Sequence, residues 1–200
     1  YIHEPICHHC GYPLEGPLSE KRKCPQCPLG ETHFNRAVAV AHYEGVLREC
    51  IHWYKFRYKK GLHESLGQLM LQGLRDYYYA DSFDAIIPVP LHRRRMKQRE
   101  FNQAKLLAMP LVEARNVPLL EDVLVRIRYT TPQSSLTVYS RRRTNIAGAF
   151  ACTVPGKVTG KRILLVDDLY TSGSTVNECA RILKLAGARR VDVLTLARAG

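Results

Sequence analysis

The chain has 200 residues, 46% of them hydrophobic, and 30 Lys and Arg against 18 Asp and Glu give it a net charge of +12. That length suits one medium domain with a small appendage, and without an apolar run of about 18 residues no membrane span is expected. A balance this basic favours polyanionic partners such as nucleic acid or pyrophosphate-bearing ligands, with a merely basic surface as the plain alternative.

Seven cysteines are distributed unevenly: two pairs near the N-terminus, then Cys50, Cys152 and Cys179 far apart. The odd total and the isolated three argue against a disulfide framework and for a reducing, cytoplasmic setting. The chain opens at Tyr1 rather than Met and shows no secretory leader, so residues upstream are expected.

Residues 1–33 read as a separate segment, and 34–200 as the main domain. Cys7 and Cys10 form one C-x-x-C turn, Cys24 and Cys27 a second, and Pro and Gly punctuate the segment too often for a long helix. Two such turns complete a closed four-thiolate shell around a structural zinc. The ion would supply folding energy that so short a segment cannot bury as core. An iron–sulfur centre and a redox dithiol are the minor alternatives, and a catalytic zinc is disfavoured because four thiolates leave no open position.

Ala37–Ala41 predicts a short strand, and Val46, Leu47, Cys50, Ile51 and Tyr54 predict the inner face of a helix. That helix ends in a run interleaving aromatics with cations, of which Lys55 and Arg57 are candidates for a ligand or nucleic-acid contact; an ordinary basic helix end is the alternative. A second helix is predicted from Leu62 to Tyr79. Asp84–Ile87 reads as a buried strand, ended by the stiff Pro88-Val89-Pro90-Leu91-His92. Arg93, Arg94, Arg95, Lys97 and Arg99 follow at once, either as a solvated run or as contacts to phosphate. Phe101–Glu113 is helical in pattern, with Pro110 expected to kink or shorten it. Leu119–Val125 reads as a strand. Arg126–Asn145 has no apolar period and carries five arginines, as expected of a lid over an anion or of a surface loop.

Ile163–Val166 predicts a strand buried on both faces, with Asp167 and Asp168 at its C-terminal end, where open α/β sheets hold ligands. Thr171, Ser172, Gly173, Ser174 and Thr175 form a hydroxyl-rich turn before a helix expected near Val176. Backbone N–H groups and the helix N-terminus suit one phosphate there, while the acids suit sugar hydroxyls or a metal carried by the ligand. Gly187 ends the helix and Val191–Leu196 is the next strand, so a parallel β–loop–α–β unit is expected. No G-x-G-x-x-G or G-x-x-x-x-G-K-[ST] is present, which weakens dinucleotide and P-loop readings.

Val166-Asp167-Asp168-Leu169-Tyr170-Thr171-Ser172-Gly173-Ser174-Thr175 resembles the phosphoribosyl-pyrophosphate motif of type I phosphoribosyltransferases. The whole chain resembles the ComF/GntX family of competence-associated phosphoribosyltransferase-like proteins. The resemblance rests on the two cysteine pairs, Pro88–His92, Arg99-Glu100-Phe101-Asn102-Gln103, Thr130 with Gln133, Arg142 with Asn145, Gly148-Ala149-Phe150, and Asn177-Glu178-Cys179-Ala180. It implies an α/β fold with a type I phosphoribosyltransferase-like parallel sheet flanked by helices. It also implies that Asp167 and Asp168 take the ribose 2- and 3-hydroxyls, that Thr171–Thr175 holds the 5-phosphate, and that Val89 and Pro90 lie near the pyrophosphate with its Mg²⁺. The 126–145 segment becomes the lid, with Arg128 and Arg142 as candidate contacts to the leaving group. Two functions remain open. One is an enzyme transferring phosphoribose to an acceptor that the sequence does not name. The other is a binding module that keeps the sugar-phosphate site while its basic surface handles single-stranded DNA, together with other DNA-uptake proteins.

Overall fold

The computed structural model describes residues 1–2, 5–14, 24, 27, 32–56, 61–130 and 146–199. Its centre is a four-stranded, fully parallel sheet. The strands are β1 (Arg36–His42), β2 (Ala85–Pro88), β5 (Arg162–Tyr170) and β6 (Arg190–Arg198), in the order β1-β6-β5-β2. β3 (Leu124–Arg126) and β4 (Phe150–Cys152) form a separate antiparallel pair. The helices are α1 (Gly45–Phe56), α2 (Leu62–Tyr78), α3 (Arg93–Arg99), α4 (Gln103–Arg115) and α5 (Ser174–Leu185).

Both faces of the sheet are covered, which is why its strands are apolar without alternation. Val38, Val40, Ile86, Leu164, Val166, Leu194 and Leu196 face one core with Ile51, Tyr54, Met70, Leu74, Leu107 and Leu111 from α1, α2 and α4. Ile87, Ile163, Leu165, Val191 and Val193 face the other with Val176, Cys179, Ala180 and Leu183 of α5 and Phe150 of β4. Gly73 lets α2 approach closely: a Cβ there would lie 2.5 Å from Val40 Cγ2. As expected, the β5–α5–β6 unit is parallel.

Several expectations need correction. β5 does not stop at Val166 but runs through both aspartates to Tyr170, because β6 continues to pair with it, Asp167 opposite Thr195 and Tyr170 opposite Arg198. α5 starts at Ser174, so Ser174 and Thr175 form its first turn rather than the preceding loop. Val46 is 77% exposed, at the first turn of α1, where the helix has not yet reached the core. Pro110 does not shorten α4, which continues to Arg115; its ring fills the space over Gly67, where a Cβ would meet Pro110 Cγ at 2.8 Å. The 119–125 stretch divides into a single bridge, Leu119 to Ile86, and β3. The run from Arg93 is a helix, capped by His92 Nδ1, which accepts from Arg94 N–H at 3.2 Å.

The N-terminal residues lie along β1. Ile2 N–H donates to Val40 O at 2.9 Å, and Ala37 N–H donates to His9 O at 2.8 Å. Ile2 and Ile6 join the α1–α2–α4 core. Gly11, at φ +65°, sits where any side chain would strike Ala37 O at 2.6 Å.

Candidate functional site

The C-terminal ends of β2 and β5 create the site. Val89 N–H donates to Val166 O at 2.8 Å, so the chain leaving β2 starts beside Asp167. Asn102 Nδ2–H donates to Val89 O at 3.1 Å and its Oδ1 caps α4 through Ala104 N–H at 3.0 Å. Val89 is therefore pinned through both its backbone N–H and its carbonyl.

Asp168 is almost fully buried and pairs with Lys55 of α1, Nζ to Oδ2 at 2.8 Å. Asp167 Oδ1 accepts the N–H of Asp168 at 2.9 Å. Burial, and then the neighbouring Asp168 charge, push the Asp167 carboxyl up to about 7, against the pull of Lys55 and Arg126. Two adjacent carboxylates in a dry setting resist full ionisation. Cations come from three elements: Lys55 from α1, Arg99 from α3 and Arg126 from β3. The Arg99 guanidinium is held below its ordinary value by burial, although Asp168 and Asp167 oppose this, and its Nη1–H donates to Gln103 Oε1 at 3.1 Å. Burial and Arg95 likewise lower Arg126, which packs over the Phe150 ring at 5.3 Å and donates to Thr130 Oγ1. The sequence marks Arg126 only as one of the five arginines of the 126–145 segment; its placement at the end of a short strand beside the acids has no local signature.

At the turn, Gly173 has φ +72°, and a Cβ there would lie 2.3 Å from the Tyr170 hydroxyl. Glycine is required on both counts. Ser172 Oγ and Ser174 Oγ lie 2.9 Å apart. Among the described residues no side chain caps α5 at Gly173, and a helix start of this kind suits an anion. The turn thus has the backbone and hydroxyl donors that an anion needs.

On the flank of α5, His33, Ile146, Ala147, Ser174, Asn177, Glu178 and Arg181 line a cavity of about 380 Å³ that adjoins the turn at Ser174. Glu178 accepts from Gly148 N–H and from Arg181, each at 2.8 Å. Arg181 and Gly148 hold the Glu178 carboxyl below the usual range although burial works the other way. The base of the 126–145 segment is closed by Ile127 N–H to Ala149 O at 2.9 Å and by Arg128 Nη2–H to Ala147 O. Arg128 is exposed at this base; Arg142 and Arg57 lie outside the described residues.

On α3, Arg93, Arg94 and Lys97 are exposed and Arg95 half-buried. Arg94 stacks on Tyr129 at 5.4 Å, and His92 meets the same ring edge-on at 5.3 Å. A little desolvation, then Arg126 and Arg94, push the His92 imidazole down, which keeps its Nδ1 an acceptor for the helix cap.

Cys7, Cys10, Cys24 and Cys27 converge, all four sulfurs within 4.8 Å of one another. Sγ–Sγ separations are 3.2 Å for Cys10–Cys24 and 3.6 Å for Cys7–Cys27, Cys24–Cys27 and Cys10–Cys27. Four thiolates around zinc at about 2.3 Å stand roughly 3.8 Å apart, so small outward shifts admit the ion. Donor set and spacing both fit zinc.

The phosphoribosyl transferase domain model matches residues 103–200. Competence protein F of Haemophilus influenzae is 33% identical over 199 residues, covering 98% of this chain and 85% of that protein. DNA utilization protein YhgH of Escherichia coli O157:H7 is 34% identical over 213 residues, covering 98% and 91%. Competence protein ComFC of Bacillus subtilis is 27% identical over 208 residues, covering 96% and 78%. Among the described residues, no helix is long and apolar enough to cross a membrane.

Proposed function

Because the chain belongs to the ComF family of phosphoribosyltransferase-domain proteins, we propose that it binds the magnesium complex of phosphoribosyl pyrophosphate at the β5–α5 turn. In this reading its role lies in DNA uptake or utilisation, in the cytoplasm. One observation carries the ligand assignment: an acid pair, half-buried Asp167 and buried Asp168, stands directly before a turn with an uncapped helix start at Gly173.

In this reading the turn Thr171–Thr175 holds the 5-phosphate and the acids accept the ribose 2- and 3-hydroxyls. Asp168 exchanges its Lys55 contact, Nζ to Oδ2 at 2.8 Å, for a hydroxyl, and Nζ turns to a phosphate oxygen. Val89 and Pro90 line the pyrophosphate side, where Mg²⁺ enters with the ligand and neutralises its charge. Arg99 and Arg126, with Arg128 and Arg142 from the lid, supply cations for the leaving pyrophosphate. Such groups stabilise charge that grows as the glycosidic bond opens, and a closed lid keeps water from the sugar cation. A structural zinc on Cys7, Cys10, Cys24 and Cys27 completes the proposal, with residues 1–33 as its segment and 34–200 as the catalytic-type domain.

Calorimetry with Mg²⁺ and phosphoribosyl pyrophosphate tests this. The wild type should bind and Asp167→Asn/Asp168→Asn should lose at least tenfold in affinity; absence of binding to the wild type sinks the assignment. A second ligand is favoured by the exposed Arg93, Arg94 and Lys97 of α3, with Arg94 on the Tyr129 ring: cations next to an aromatic face suit single-stranded DNA. Affinity for an oligonucleotide should then fall steeply with salt, with a slope reduced in Arg93→Glu/Arg94→Glu. An unchanged slope removes α3 from the DNA surface.

A further inference from the structure

A buried arginine joins the cysteine cluster to the phosphate turn. Arg198, at the end of β6, is 5% exposed, and no ion pair to it is found among the described residues. Its Nη1–H donates to Cys10 O at 2.7 Å. Its guanidinium lies over the Tyr12 ring at 5.1 Å and over the Tyr170 ring at 4.6 Å. Tyr170 is paired with Arg198 in the sheet, and its hydroxyl lies where a Cβ on Gly173 would be. A continuous run of contacts therefore leads from a metal-site cysteine through Arg198 and Tyr170 to the glycine that shapes the turn.

A buried cation with aromatic faces and a carbonyl as its partners is costly to misplace. Its position thus depends on where the Cys10 peptide is held. That peptide is fixed on one side by His9 O on Ala37 N–H at 2.8 Å, and on the other by whatever binds the four sulfurs.

We propose that Arg198 and Tyr170 are positioning residues through which metal binding at the cysteine cluster sets the geometry of the Thr171–Thr175 turn. The inference rests on the reading of that turn as a phosphate site only for its consequence, not for the coupling itself. With zinc bound, Cys10 O fixes Arg198, which fixes the Tyr170 ring, which supports Gly173. Without it, the ring is released and the turn samples conformations in which its N–H groups diverge. By linkage, a ligand in the turn must tighten zinc binding by the same factor by which zinc tightens the ligand.

Hydrogen exchange on the full chain, zinc-loaded and chelator-stripped, tests this without any ligand. Stripping should speed exchange at residues 171–176 by about tenfold, within the usual range of coupling between sites, while β5 and β6 stay protected. Arg198→Met should show the faster exchange even when zinc-loaded, with no further change on stripping. Should that variant fail to fold, Tyr12→Leu, which removes only one aromatic face, should halve the response on a logarithmic scale. Unchanged exchange at 171–176 on stripping overturns the proposal, as does uniform loss of protection throughout the sheet. Calorimetry then extends the test: zinc removal should weaken phosphoribosyl pyrophosphate about tenfold in the wild type and not in Arg198→Met. No binding of that ligand with the exchange effect intact would refute the function proposed above and leave the coupling standing.

Discussion

Replacing Asp167 by Asn should change how stability depends on pH, in the direction opposite to ordinary acid denaturation. The Asp167 carboxyl is raised from 3.8 to about 7 by burial and by the charge of Asp168. A group raised in the folded state favours folding when protonated, and that contribution is lost as pH climbs through the folded value. At pH 8 the folded group is ionised and the contribution is nearly absent. At pH 6 it is largely protonated in the folded chain but ionised in the unfolded one. With 1.36 kcal/mol per pH unit, the wild type should gain about 1.4 kcal/mol between pH 8 and pH 6 that Asp167→Asn does not. Urea unfolding followed by the fluorescence of the single tryptophan, Trp53, measures both proteins across that window. Their difference also cancels pH effects at the cysteine cluster. A stability difference that is flat, or that shrinks toward pH 6, would refute the assignment of a strained, proton-sharing carboxylate to this position.

Lys55→Met should cost about 2 kcal/mol at pH 8, below the usual price of breaking a fully buried pair because both partners keep some exposure. The cost should fall toward pH 6, where the acid pair takes up a proton, as equilibrium unfolding at the two pH values would show. Gly173→Ala should leave the fold intact but weaken phosphoribosyl pyrophosphate more than tenfold in calorimetry, since φ +72° and the Tyr170 hydroxyl at 2.3 Å both oppose a Cβ. Leu164→Ala, in a fully buried position of the central strand, should destabilise by about 2–5 kcal/mol in urea. Cys24→Ser should lower bound zinc well below one per chain by elemental analysis and reduce the melting temperature.

The parts of the fold carried by uninterrupted apolar runs were legible in the sequence. Ile163–Val166 and Val191–Leu196 are buried on both faces, so composition alone marks them as strands, and the intervening helix has its apolar residues at helical spacing. What failed depends on partners distant in sequence. β5 extends through two aspartates because β6 keeps pairing with it, and no local rule favours Asp167-Asp168 in a strand. Pro110 stays within α4 because Gly67 of α2 offers space for its ring. Val46 matched the apolar spacing of α1 but lies in the first turn, beyond the reach of the core.

The candidate site divides in the same way. The hydroxyl-rich turn and the cysteine pairs announce themselves because their chemistry is contiguous or regularly spaced. Lys55 was singled out for its place in a basic aromatic run, but its ion pair to Asp168 spans more than a hundred residues of sequence. Arg126 and Arg198 each stand at the end of a strand, with nothing nearby to distinguish them from other arginines; only the packing of the strands and of the N-terminal residues brings them to the acids and to Cys10.

The most direct test of the central proposal is a crystal structure of the chain with Mg²⁺ and phosphoribosyl pyrophosphate. It should show the 5-phosphate in the turn from Thr171 to Thr175, the ribose hydroxyls on Asp167 and Asp168, and Lys55 moved off Asp168 onto a phosphate oxygen. Ligand bound elsewhere, or a turn left empty at saturating concentration with the Lys55–Asp168 pair unbroken, would contradict it.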